Sequence, residues 1–70
     1  MAEPVVEHAL QIIARDGPQT THDIAATFFI SGGRFPSFNM GRHHDEVARE
    51  KLAADPRLKH YPKTDLWDKA

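Results

Sequence analysis

Apolar residues return at helical spacing in three stretches of the chain, and a fourth, near the C-terminal end, carries them in two short runs around a turn. In PVVEHALQIIARDG, Val6, Ala9, Leu10 and Ile13 follow the i, i+3, i+4, i+7 spacing of one helical face. Pro4 suits the first turn, where its missing N–H would have no helical acceptor anyway, and Gly17 followed by Pro18 supplies a left-handed exit and a stop. These signals predict helix 1 over about residues 4–16.

The second stretch, TTHDIAATFFI, opens on hydroxyl residues, and Thr20 with Asp23 three positions later is a shortened capping box. Ile24, Ala25, Phe28 and Phe29 make its expected apolar face, over about residues 21–31, and Gln19 to Thr21 can hold one extended pairing position ahead of it. Gly32 and Gly33 end this helix 2, and a loop over 32–39 follows, in which Pro36 keeps Phe35 out of helical geometry while Phe35 and Phe38 are expected to fold back on the core. Helix 3, about 40–54, is capped by Ser37 or Asn39, turns Met40, Val47, Ala48 and Leu52 inward, and stops before Pro56. LKHY and LWDKA around the turn PKTD then predict a β-hairpin over about 57–69, with Leu58, Tyr61, Leu66 and Trp67 as its packing residues. The expected class is mainly α with a small β-hairpin, a single domain of three-helix winged helix-turn-helix type.

At 70 residues the core must be small. The absence of cysteine excludes disulfide staples and thiolate metal sites. No apolar run approaches the roughly 20 residues that cross a bilayer, and the acidic start MAEPVVEH lacks the basic flank of a signal peptide, so a cytoplasmic location is expected, or the nucleoid or nucleus if DNA is bound. The net charge of −1 hides an asymmetry. Residues 1–30 set Arg15 against Glu3, Glu7, Asp16 and Asp23, a net −3. Residues 31–63 set Arg34, Arg42, Arg49, Lys51, Arg57, Lys59 and Lys63 against Asp45, Glu46, Glu50 and Asp55, a net +3, which hints at an anionic partner.

The order of elements, with HALQIIARDGPQTTHDIAATFFISGG, Pro36, helix 3 and DPRLKHYPKTDLW, resembles the HARE-type winged-helix family, to which the N-terminal domain of the RNA polymerase delta subunit also belongs. The likeness runs from about His8 to Trp67 and rests on an Ile/Leu-rich first helix, a "DIA"-like second helix, a loop ending near Pro and a wing closed by an aromatic. Gly-Arg-Phe-Pro stands where a Gly-Lys-Thr-Pro kind of loop is commoner, and Asp65 stands at the wing tip where such wings usually carry Gly. The resemblance implies DNA binding or contact with the transcription or chromatin machinery.

Helix 3 is the expected reading element, with Arg42, Asp45, Glu46 and Arg49 facing away from the core. Arg42 and Arg49 lie seven apart, two turns, on one side of the helix, where arginine can read guanine or clamp a phosphate and His43 can hydrogen-bond either. The same helix bears Asp45, Glu46 and Glu50, which oppose a phosphate backbone. The alternative is a solvated face carrying the i, i+4 pairs Arg42–Glu46 and Asp45–Arg49. Around the wing, Arg57, Lys59, His60 and Lys63, with Arg34 of the loop, form a basic group suited to a phosphate backbone or an acidic protein surface.

Metal ligation is not expected, because the adjacent His43 and His44 point about 100° apart on a helix; His44 is expected half-buried against Val47 and the loop aromatics. No nucleophile set or phosphate-binding glycine loop suggests catalysis, and no cofactor is implied. The sequence thus leads to a non-enzymatic DNA-binding module, monomeric or dimeric, with Arg34, Arg42, His43, Arg49, Arg57, Lys59 and Lys63 as contacts. The alternative is a small adaptor that binds a protein of the transcription or other nucleic-acid machinery through helix 3, Glu46 included, and the wing.

Overall fold

A computed structural model describes residues 3–34 and 44–70. Its elements, in order, are α1 (Pro4–Asp16), β1 (Gln19–Thr20), α2 (Thr21–Ile30), α3 (His44–Ala53), β2 (Leu58–Tyr61) and β3 (Leu66–Lys69). The mainly helical, three-helix-plus-hairpin class expected from the sequence is the one found, and the hairpin is extended by β1 into an antiparallel sheet of order β1-β3-β2.

Local chemistry accounts for most of the boundaries. Pro4 opens α1, and the N–H of Gly17 closes it on the Ile13 carbonyl at 2.8 Å, with φ 89 and ψ −168 in a region that only glycine enters readily. Thr20 does two jobs. Its backbone pairs with Leu66 in the sheet, and its hydroxyl accepts from the Asp23 N–H at 3.1 Å to cap α2. A strand therefore runs directly into a helix with no loop between them. The expected start of helix 3, Met40 included, and the loop residues Phe35 and Phe38 lie outside the described residues.

The core gathers Val5, Val6, Ala9, Ile12 and Ile13 of α1, Ile24, Ala25 and Phe28 of α2, Ala48 and Leu52 of α3, and Leu58 and Trp67 of the hairpin; Val47 of α3 is buried as well. Leu10 sits at its edge, partly buried. Two expected core positions turn outward instead. Phe29 is 49% exposed, because adjacent helical residues diverge by about 100° and the stripe Thr21, Ile24, Ala25, Phe28 already points inward. Tyr61 is 42% exposed, because strand alternation directs Leu58 and His60 to the core and Lys59 and Tyr61 away from it. His44 departs likewise: it is exposed, and its ring stacks on Phe29 with centroids 5.4 Å apart.

Candidate interaction surface

The wing tip is fastened to the helices by one carboxylate. Asp65 has φ 55, the left-handed conformation that glycine takes at no cost and that Asp tolerates better than most side chains. Its presence in place of glycine is explained by what the side chain does. Oδ1 accepts from the Thr21 hydroxyl at 2.7 Å and from His60 Nε2 at 2.6 Å, and Oδ2 accepts from Arg49 Nη2 at 2.8 Å. The Asp65 carbonyl also accepts from the Thr21 N–H at 3.0 Å.

Thr21 is fully buried, so its hydroxyl must be satisfied within the protein. It donates to Asp65 and accepts from Trp67 Nε1 at 2.7 Å. The His60 ring lies against Trp67, centroids 4.2 Å apart at 21°. Five side chains from α2, α3 and the hairpin thus form one connected polar network under the wing, and among the described residues no buried side-chain nitrogen or oxygen lacks a partner. Arg49 above all, then the hydrogen bonds from Thr21 and His60, hold the Asp65 carboxyl well below the usual carboxylate range. Asp65 therefore stays ionised and acts only as an acceptor, which makes His60 Nε2 a donor.

This geometry sorts the residues selected from the sequence. Arg49 is drawn onto Asp65, which raises the guanidinium pKa, and so it joins α3 to the wing. Arg57 is gripped by Asp55 at 2.9 Å and by Glu7 at 2.8 Å, joining the α3–β2 connection to α1. Lys51, also on α3, reaches Glu3 at 3.4 Å. His60 turns inward to Asp65 and takes no place on the basic outer face expected of the wing. Lys59 is exposed on β2 with Nζ 5.2 Å from the Tyr61 ring centroid, Lys63 is exposed in the β2–β3 turn, Arg34 is exposed beyond α2, and Glu46 is exposed on α3. Arg42 and His43 lie outside the described residues.

Sequence reasoning passed over two features. The first is the Asp65 network, whose Thr21 and Asp65 are 44 positions apart; the unusual residue at the wing tip was its one visible sign. The second is a groove between α2 and the beginning of α3, lined by Ala25, Ala26, Phe29 and Ile30 on one side and by His44 and Asp45 on the other. His22 Nδ1 meets Asp45 Oδ2 across it at 3.1 Å. Among the described residues no group of three or more His, Asp or Glu side chains could hold a metal ion, and no helix is long and apolar enough to cross a membrane.

No family model matches the chain, and comparison with curated proteins and with solved structures returned no match.

Proposed function

We propose that this chain is a non-enzymatic, cytoplasmic winged-helix module that binds a protein through α3 and the α2–α3 groove. One observation carries the reading. The cations Arg49 and Lys51 of α3 are each engaged by a carboxylate of another part of this chain, Asp65 and Glu3. An α3 whose arginine and lysine are already held offers a phosphate backbone little to bind, and its mixed charges suit complementary pairing with another protein. The likeness to the HARE-type family supports a partner in the transcription or another nucleic-acid machinery.

DNA binding is the second reading, and the exposure of Lys59 and Lys63 on the wing favours it. Under that reading the wing tracks the phosphate backbone while Arg42, His43 and Arg34 approach the duplex, and Arg49 must first leave Asp65. Titration of the labelled protein with a mixed-sequence duplex, followed by amide shifts at low and moderate salt, separates the two. The protein-binding reading expects no salt-sensitive shifts within residues 44–53. Shifts there that fade as salt rises would overturn it in favour of DNA.

A further inference from the structure

Two cations of the wing stand apart from the rest. Arg15, Arg49, Lys51 and Arg57 each meet a carboxylate. Lys59 and Lys63 form no ion pair among the described residues, and residues 35–43 contain no Asp or Glu. Asp68, opposite Lys59 in the β2–β3 register, accepts instead from the Lys69 N–H at 2.8 Å. The Asp65 carboxylate at the wing tip is turned inward to Thr21, His60 and Arg49. Lys59 and Tyr61, two apart on β2, share the outer face of the sheet. Tyr61 is 42% exposed there, with Lys59 Nζ 5.2 Å from its ring centroid and the half-buried Leu66 beside it on β3. Lys63 is exposed in the turn two positions beyond Tyr61.

We infer that the outer face of the wing binds single-stranded nucleic acid, a base stacked on Tyr61 and the flanking phosphates on Lys59 and Lys63. This goes beyond the protein-binding reading and does not depend on it, since it uses the β2–β3 hairpin and no residue of α2 or α3. Two features choose the ligand. Lysines without a carboxylate attract an anion, the exposed ring offers a stacking surface, and a nucleotide answers both. An acidic peptide answers only the first, and the electron-rich face of the ring repels its carboxylates. A duplex keeps its base faces inside its own stack, so it would meet the lysines and leave Tyr61 idle. The Lys59–Tyr61 contact is no obstacle, because attraction to the ring leaves the ammonium its full charge and holds it beside the stacking surface. Stacking of this kind tolerates any sequence, since every base has a flat face.

The test is a titration of the labelled full chain, followed by amide and Tyr61 ring shifts. The probes are a short oligodeoxyadenylate, the same strand paired with oligothymidylate, an abasic strand of equal length and a polyglutamate peptide. The single strand is expected to shift residues 59–66, to move the Tyr61 ring signals upfield, and to bind at least about tenfold more tightly than the abasic strand. Tyr61→Ala should abolish that preference and Tyr61→Phe keep it, with dispersed spectra in both, and the abasic comparison needs no variant at all. Lys63→Ala should reduce the steepness of log affinity against log salt by about 0.7, the share of one phosphate contact on a single strand. Equal binding of the abasic strand would overturn the stacking and with it the proposal. Equal or tighter binding of the duplex at residues 59–66, unaffected by Tyr61→Ala, would overturn it in favour of a backbone contact. Equal binding of polyglutamate would overturn it in favour of an acidic protein, and no shifts with any nucleic acid at low salt would overturn it outright. None of these outcomes moves the protein-binding reading, which is decided by shifts within residues 44–53.

Discussion

Replacing Asp65 tests whether one carboxylate couples the wing to the helices. In Asp65→Ala the buried Thr21 hydroxyl loses its acceptor, a loss of about 1–3 kcal/mol for an unsatisfied buried group. The ion pair with Arg49 is partly exposed and adds only about 0.5–1 kcal/mol. Alanine at φ 55 adds backbone strain of about 1 kcal/mol. Together these come to about 2.5–5 kcal/mol, comparable to the whole stability of about 3–5 kcal/mol expected of a domain this small. Asp65→Gly removes the strain but not the lost bonds, and should recover about 1 kcal/mol relative to alanine. Asp65→Asn keeps an acceptor for Thr21 and tolerates the left-handed backbone, so it should cost about 1 kcal/mol. Urea unfolding followed by Trp67 fluorescence gives the order native, Asn, Gly, Ala. A glycine variant less stable than the alanine one, or an alanine variant within about 0.5 kcal/mol of native, would refute the account.

Two further outcomes follow from particular contacts. Thr27 donates its hydroxyl to the Asp23 carbonyl at 2.8 Å, so His8 Nε2, 2.7 Å from that hydroxyl, donates to it. Burial first, and Arg15 second, lower the His8 pKa below its ordinary value, so its contribution to stability is full above about pH 6.5 and is lost as pH falls through the folded value. His8→Gln should flatten the stability profile between about pH 7 and 5, and an unchanged slope in denaturant melts at those two pH values would contradict this. A Cβ on Gly33 would come within 2.5 Å of the Phe28 ring, which is 7% exposed and closes that end of the core. Gly33→Ala should therefore cost about 1–3 kcal/mol by overpacking, and a thermal midpoint equal to native would show that Phe28 gives way freely.

The sequence by itself determined the elements, because their causes are local. Helical spacing, Pro4, Gly17, the Thr20 cap and the PKTD turn each act within a few residues, and α1, α2, the hairpin and the extended pair at Gln19–Thr20 stand where these signals put them. Which of two adjacent aromatics enters the core is decided by the neighbouring elements, so Phe28 could be told from Phe29 only once α1 and the sheet had claimed one side of α2. The partners of the charges were hidden for the same reason. Arg49 had near neighbours at helical spacing, yet the fold brings Asp65, sixteen positions away, within 2.8 Å of it, and Arg57 finds Glu7 across fifty. A count of charges along the chain shows a basic half, whereas only the tertiary structure shows which of its cations are already held by carboxylates from elsewhere. Attraction between charges depends on distance in space and on burial, neither of which is set by distance along the chain.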